Sequence, residues 1–257
     1  MQPIDFCTTG MFIIDQTPFL NIPGGAGTYS ALGARVLSPS PESNRVGWVV
    51  DAGHDFPESL RDMITSWDTA VLLRSRDAPT TKGWNGYGAN EHRARCVDLV
   101  QGINSRRAAL GQSLDEPFFI WEPVPDLCVP AELENTIKAL EHVHVISPNH
   151  AELSDLFSVV GTTESGDVDR QVIEACSSKL LSSVSGERAS KIAVVVRSGK
   201  DGCYVSSPSK QAWLPAFHAP TPAKVVDPTG GGNGFLGGLA MGLVRTGDVV
   251  EASKWGN

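Results

Sequence analysis

The stretch VVDPTGGGNGF, residues 225–235, decides how this chain is read. Three consecutive glycines, Gly230, Gly231 and Gly232, separate an apolar stretch from a run with helical spacing. The preceding AKVV is strand-like, and Asp227 and Pro228 end it. Beyond the glycines, Phe235, Leu236, Leu239, Ala240, Leu243 and Val244 share one stripe, which predicts a helix starting near Asn233. The first-turn amides of a helix lack internal partners and carry partial positive charge. Glycines, having no β-carbon, let an anion come close to them. The stretch therefore reads as an anion hole made of backbone. A strand–helix turn that merely needs glycine dihedrals is the plainer alternative, but three glycines exceed what a tight turn requires. No Lys follows, so this is not the G-x-x-x-x-G-K-[ST] phosphate loop. Nor is it the dinucleotide G-x-G-x-x-G, which belongs on an early βαβ unit.

The rest of the chain fits a small-molecule protein. Its 257 residues, 41% hydrophobic, suffice for a full core. A balance of 21 basic against 29 acidic residues, net −8, argues against nucleic acid as a partner. A pocket of backbone amides can still hold one small phosphorylated ligand. The five cysteines are scattered and never spaced C-x-x-C, as expected of reduced thiols. His142 and His144 lack companions for a metal set and read as ordinary histidines. MQPIDFCTTG has no basic leader region, and the longest aliphatic run, IAVVV at 192–196, is too short to span a bilayer. The expectation is a soluble, cytoplasmic protein without a membrane partner.

Strand-like runs recur at 11–14, 46–50, 70–73, 118–121, 143–146 and 192–196, several of them β-branched and nearly unbroken. Between them, TYSALGARVL, PESLRDMITSW, VPAELENTIKAL, DRQVIEACSSKLL and FLGGLAMGLV have helical spacing. Strands alternating with helices predict a three-layer α/β/α domain with a mostly parallel central sheet. Nothing parts the chain into two domains, so residues 1–257 are expected to form one. The polar, Gly-rich segment 80–95 resists assignment and suits a functional loop or a plain surface loop.

VVDPTGGGNGF resembles the C-terminal signature of the ribokinase-like (PfkB) sugar and nucleoside kinases. In these, an Asp-Thr-x-Gly-Ala-Gly-Asp-x-Phe pattern forms the anion hole and supplies the catalytic base. GMFIID (10–15) resembles the family's first strand, whose terminal acid binds substrate hydroxyls, here Asp15. GGAGTYSALGA (24–34) is similar to the glycine pair and helix that close over the sugar, at Gly24 and Gly25. SPNHAEL (147–153) matches the Asn-x-x-Glu element that helps place magnesium, here Asn149 and Glu152. VVVRSGKDGCYV (194–205) resembles the strand and hairpin bordering the nucleotide. Each has a bland counterpart. Asp15 can cap a turn, Gly24 and Gly25 can be loop residues, Asn149 and Glu152 suit a helix capping box, and Lys200–Gly202 suits a hairpin turn. Their joint order is what favours the kinase scaffold.

The resemblance implies ATP and Mg2+ as cofactors, a monovalent cation such as K+ at Asp227, and nucleotide contacts at Gly199, Gly202 and Thr229. It implies a small lid within 15–24 and 78–96 and leaves room for a homodimer formed through it. Phosphoryl stabilisation falls to Gly230, Gly231 and Gly232. The base position, however, holds Asn233, an uncharged amide. General-base catalysis is worth ~10²–10⁴-fold, whereas phosphoryl transfer relies mainly on positioning and charge stabilisation. The expectation is an ATP-dependent phosphotransferase for a hydroxyl of a small sugar or nucleoside, with catalysis impaired or altered. The competing reading is a non-catalytic nucleotide- or sugar-binding pseudokinase acting through a protein partner. Two departures accompany Asn233: TYS stands where many relatives place Asn, and the chain stops at EASKWGN where further helices are expected. The pattern resembles that of a divergent fungal-type branch of the superfamily.

Overall fold

The computed structural model describes residues 3–16, 21–83, 94–112 and 117–257. Two compact units emerge, Met1–Gly86 with Ala223–Asn257, and Tyr87–Pro222. The first begins with β1 (Phe6–Thr8), β2 (Ile13–Gln16), β3 (Asn21–Gly24) and helix α1 (Ala26–Val36). It continues with β4 (Val46–Ala52), α2 (Glu58–Ser66), β5 (Ala70–Ser75) and β6 (Lys82–Gly83). Strands β1, β4 and β5 make a parallel sheet in that order. Its core gathers Ile14, Val46, Trp48, Val50 and Ile64 with Ala34 of α1. Trp48 is nearly fully buried, stacks on Trp67 at 5.6 Å and donates its indole N–H to Thr69 Oγ1 at 2.9 Å. Burying each such large side chain stabilises the fold by about 1.5–3 kcal/mol.

A second, small sheet runs β3–β2–β6, with β2 antiparallel to β3 and parallel to β6. GMFIID, which resembles the family's first strand, contributes the start of β2, the second strand of this chain after Phe6–Thr8. Phe12, just ahead of β2, and Ile14 within it are buried, while Met11 is 61% exposed. Of the two expected lid segments, residues 17–20 and 84–93 lie outside the described residues.

The second unit holds α3 (Ala94–Ala109), β7 (Ile120–Trp121), α4 (Leu133–Leu140), β8 (Val145–Ile146), α5 (His150–Leu156) and α6 (Arg170–Ser182). The strands β9 (Ala193–Arg197), β10 (Cys203–Ser206) and β11 (Gln211–Leu214) complete it. Strands β7, β8 and β9 are parallel, and the hairpin β9–β10–β11 extends the sheet antiparallel. Its core sets Ile146, Val194 and Val196 against Leu153, Ile173 and Leu180 of the helices. His144 has a structural place: its Nδ1 accepts the Phe119 N–H at 3.1 Å, and its ring stacks on Phe118 at 4.4 Å. All five cysteines are free thiols.

The chain then returns to the first unit as α7 (Gly231–Thr246) and α8 (Val249–Gly256). AKVV is not a strand: Pro222–Lys224 is a short 3-10 turn, and Val225 and Val226 are 51% and 92% exposed. Prolines at 222 and 228 bracket the segment, which suits a turn better than a ladder. Helix α7 starts two residues before the expected Asn233, because Gly230 makes the chain reversal in the left-handed conformation, φ 74°. Phe235, Leu236, Leu239 and Ala240 of the predicted stripe are buried, Leu243 is half-buried and Val244 is exposed. No helix among the described residues is long and apolar enough to cross a membrane.

Candidate active site

The Asp227–Gly232 turn is built locally. The Asp227 carboxylate accepts the Thr229 N–H at 2.9 Å, an Asx turn that ends the incoming segment. Bonding by the Thr229 hydroxyl and N–H holds this exposed carboxyl below its ordinary value. Gly231 N–H donates to Pro228 O at 2.9 Å and Gly234 N–H to Gly230 O at 2.8 Å, closing the turn into α7. A β-carbon at Gly231 would meet only open space, so the turn can be approached from that side. One amide of the expected anion hole, that of Gly231, is therefore turned inward to Pro228. Asn233 lies partly buried in the first turn of α7.

Helix α1 fixes what faces this turn. A β-carbon at Gly33 would overlap the Gly234 backbone, and one at Gly237 would overlap Ser30 O and Ala34 N, so the two helices touch backbone to backbone. One turn earlier along α1, the Tyr29 ring lies against Gly230, where any β-carbon would overlap it. Gly230 is thus required twice, by its dihedral and by this ring. Tyr29 is half-buried. Burial first, then the charges of Asp15 and Asp227, hold its phenol above the ordinary value, so it is a neutral donor at physiological pH.

Asp15 sits in β2, and its carboxylate lies over the α-carbon of Gly24 in β3, leaving no room for a side chain there. Desolvation by burial pushes its carboxyl upward. Gly25 adopts φ 89° as the N-cap of α1, and the Thr28 hydroxyl donates to Gly24 O at 2.6 Å. In the first unit the structure therefore brings Gly25, Gly230, Asp15 and Asp227 near Tyr29, with Gly24 under the Asp15 carboxylate. No local pattern marks Tyr29, and TYS reads only as a departure from the family pattern.

In the second unit, Asn149 caps α5 and forms a complete capping box with Glu152. Glu152 Oε2 accepts Asn149 N–H at 2.7 Å, its Oε1 accepts Asn149 Nδ2 at 2.7 Å, and Asn149 Oδ1 accepts Glu152 N–H at 2.8 Å. Arg197, at the end of β9, pairs with Glu122 at 2.7 Å and Glu152 at 3.4 Å and donates to Ser147 O at 3.0 Å. It ties together the carboxyl ends of three parallel strands. Sequence reading passed over it, since nothing local marks an Arg that closes a partly buried triad.

These residues do not fit a magnesium ion as direct ligands, because both Glu152 oxygens are already accepting and a guanidinium stands beside them. Among the described residues, no group of three His, Cys, Asp or Glu side chains could hold a metal ion. Gly199 and Gly202 flank the β9–β10 turn with φ 54° and 82°, closed by Ser198 N–H to Gly202 O at 2.7 Å. Lys200 on that turn is ion-paired with Asp167.

Solved structures share this architecture. The ribokinase of Cryptococcus neoformans, determined with ADP, superposes with a TM-score of 0.63 at 18% identity, covering 99% of this chain and 91% of that one. The chain has the three-layer α/β/α ribokinase-like fold, with a parallel sheet flanked by helices. Residues 123–257 match the pfkB family carbohydrate kinase model. Protein MAK32 of Saccharomyces cerevisiae is 30% identical over an alignment of 306 positions, gaps included, covering 97% of this chain and 81% of that protein. An Arabidopsis thaliana inositol 3-kinase is 44% identical over 64 residues, 25% of this chain and 17% of that one. The chain belongs to the PfkB family of carbohydrate kinases.

Proposed function

We propose that this chain is an ATP-dependent phosphotransferase acting on a hydroxyl of a small sugar or nucleoside, with catalysis slowed or altered by Asn233. The observation that supports it most is the Asp227–Gly232 turn, capped by Gly230 and open at Gly231, entering α7 in a PfkB-family chain. In this reading Asp15, Gly24 and Gly25 hold the acceptor. Gly230, Gly231 and Gly232 steady the transferring phosphoryl group, the Gly231 amide swinging from Pro228 O to do so. Thr229, Gly199 and Gly202 contact the nucleotide. Kinases of this family use ATP with magnesium. Here no step is assigned to that metal, because Asn149 and Glu152 are committed to each other and to Arg197. The same holds for a monovalent cation at Asp227, whose carboxylate is bonded to Thr229.

Asn233 also supports a second reading, a binding protein without turnover, since an amide cannot accept the acceptor's proton. Phosphoryl transfer measured over a panel of sugars and nucleosides, beside ATP binding, separates the two. Measurable transfer with ATP favours the enzyme, and ATP binding without transfer favours the binder. A cytoplasmic location goes with either reading, as ATP is the ligand. The lid-mediated homodimer belongs to the same picture and is checked by sedimentation of the purified chain.

A further inference from the structure

We propose that the cavity at the carboxyl ends of β4 and β5 binds a small phosphate-bearing anion, held by Arg76, Arg61 and His54. The site is independent of the phosphotransferase reading. None of its lining residues belongs to the Asp227–Gly232 turn or to the group of Asp15, Gly24 and Gly25. Ala52 closes β4 and Ser75 closes β5, and the two are partners in the parallel sheet. Gly53 and His54 continue one strand, Arg76 and Asp77 the other, and Arg61 comes from α2; together they line a cavity of about 390 Å³. That lies within the ~300–1,000 Å³ of small-molecule sites. It also lies at the end of a parallel sheet where α/β proteins take their ligands.

The walls are fixed by the fold. Gly53 N–H donates to Thr80 Oγ1 at 3.1 Å, His54 N–H to Ala78 O at 3.3 Å and Arg76 N–H to Ala52 O at 3.0 Å. A β-carbon at Gly53 would overlap the backbone of Ala78 and Thr80, so this glycine lets the two segments meet. With those amides spent, recognition falls to side chains.

The side chains favour an anion. Arg76 is exposed, donates from Nη1 to Thr81 Oγ1 at 3.2 Å, and forms no ion pair among the described residues. Two acids of the same region are already engaged: Asp51 accepts from Arg74 at 2.6 and 2.9 Å, and Asp55 pairs with Lys82 at 2.8 Å. Arg61 lies over the Phe56 ring at 5.5 Å and pairs at 3.3 Å with Glu58, whose side chain is 77% exposed. An ion pair so open to water is weak and yields to a better acceptor. His54 is exposed and adds a ring N–H. Asp77 is the opposing charge in the lining. Two guanidinium forks and an imidazole, arriving from three segments, match a tetrahedral anion whose oxygens can be shared among them. A carboxylate offers two oxygens and satisfies that set less well.

Titration of the isotope-labelled full chain with inorganic phosphate at constant ionic strength, followed by NMR at the Gly53, His54 and Arg76 amide signals, tests this. Saturable shifts are expected at those signals. The Gly230–Gly232 amides report phosphate at that turn separately, so failure of one site is distinguishable from failure of the other. Arg76→Gln should weaken binding at the cavity at least tenfold, the range of a hydrogen bond to a charged group. Arg61→Gln should weaken it about three- to tenfold, since Arg61 must leave Glu58. Asp77→Asn should tighten it, and all three variants should keep the wild-type melting temperature without phosphate. Shifts reproduced by chloride alone, acetate binding more tightly than phosphate, or wild-type affinity in both arginine variants would overturn the proposal.

Discussion

At the scale of single residues, charge decides most. Asn233 stands where the family places a proton acceptor, and its amide can hydrogen-bond a hydroxyl but not deprotonate it. Asn233→Asp is expected to raise phosphoryl transfer, or ATP hydrolysis where no acceptor is supplied, at least tenfold, within the ~10²–10⁴ of general-base catalysis. Unchanged rates with ATP still bound would show that proton removal is not what limits this site. Gly230→Ala tests a different property, because the left-handed dihedral costs an alanine about 1–2 kcal/mol and its β-carbon would overlap Tyr29. A fall in melting temperature together with weaker acceptor binding is the expected result.

Among elements, small residues and caps do the positioning. Helices α1 and α7 meet through Gly33, Ala34, Gly234 and Gly237, and α7 meets α8 where β-carbons at Gly238 and Gly242 would crowd Trp255–Gly256 and Ala252. Gly237→Leu should destabilise the first unit by about 1–3 kcal/mol, the cost of overpacking a tight contact, read as a lower denaturation midpoint. In the second unit, Asn149→Ala removes the α5 cap and should cost about 0.5–2 kcal/mol.

Much of this was legible in the sequence. The 3.6-residue stripes located α1, α2, α4, α6 and α7, and the three-residue spacing of Asn149 and Glu152 announced the capping box. The strand expected at AKVV does not form, and its absence was not legible, since apolarity alone does not report the prolines' effect on pairing. The uneven burial of the stretch around β2 was likewise hidden, because four consecutive apolar residues, MFII at 11–14, fit either kind of strand. Tyr29 and Arg197 owe their places to partners far away in sequence, Gly230 for one and Glu122 for the other. Local pattern could not supply those contacts.

For the molecule as a whole, pH resolves which carboxylates matter. Asp55 receives Lys82 at 2.8 Å and the Thr80 N–H at 2.6 Å, tying the loop after β4 to β6 of the small sheet. The Lys82 bond, then the Thr80 amide, hold its carboxyl well below the usual range. Asp51, bonded to Arg74, and Asp68, bonded to Ser43, are also lowered. The unfolded chain takes up these protons more readily, so their contribution is present above 3.8 and is lost as the pH falls below it. Asp15 runs the other way: its contribution is present below 3.8 and lost as the pH rises through its raised value. The lowered group outnumbers it, so the melting temperature should fall on acidification. Asp55→Asn should start lower at neutral pH and fall less steeply, and a slope equal to wild type would remove the Lys82 tie from the account.

The account as a whole stands on the backbone turn at Gly230–Gly232 receiving a phosphoryl group. A crystal structure of the chain with a non-hydrolysable ATP analogue measures that directly. The prediction is a terminal phosphate within hydrogen-bonding distance of those amides, with Gly231 N–H released from Pro228 O. A terminal phosphate bound elsewhere, with the Gly231–Pro228 bond intact, would contradict it.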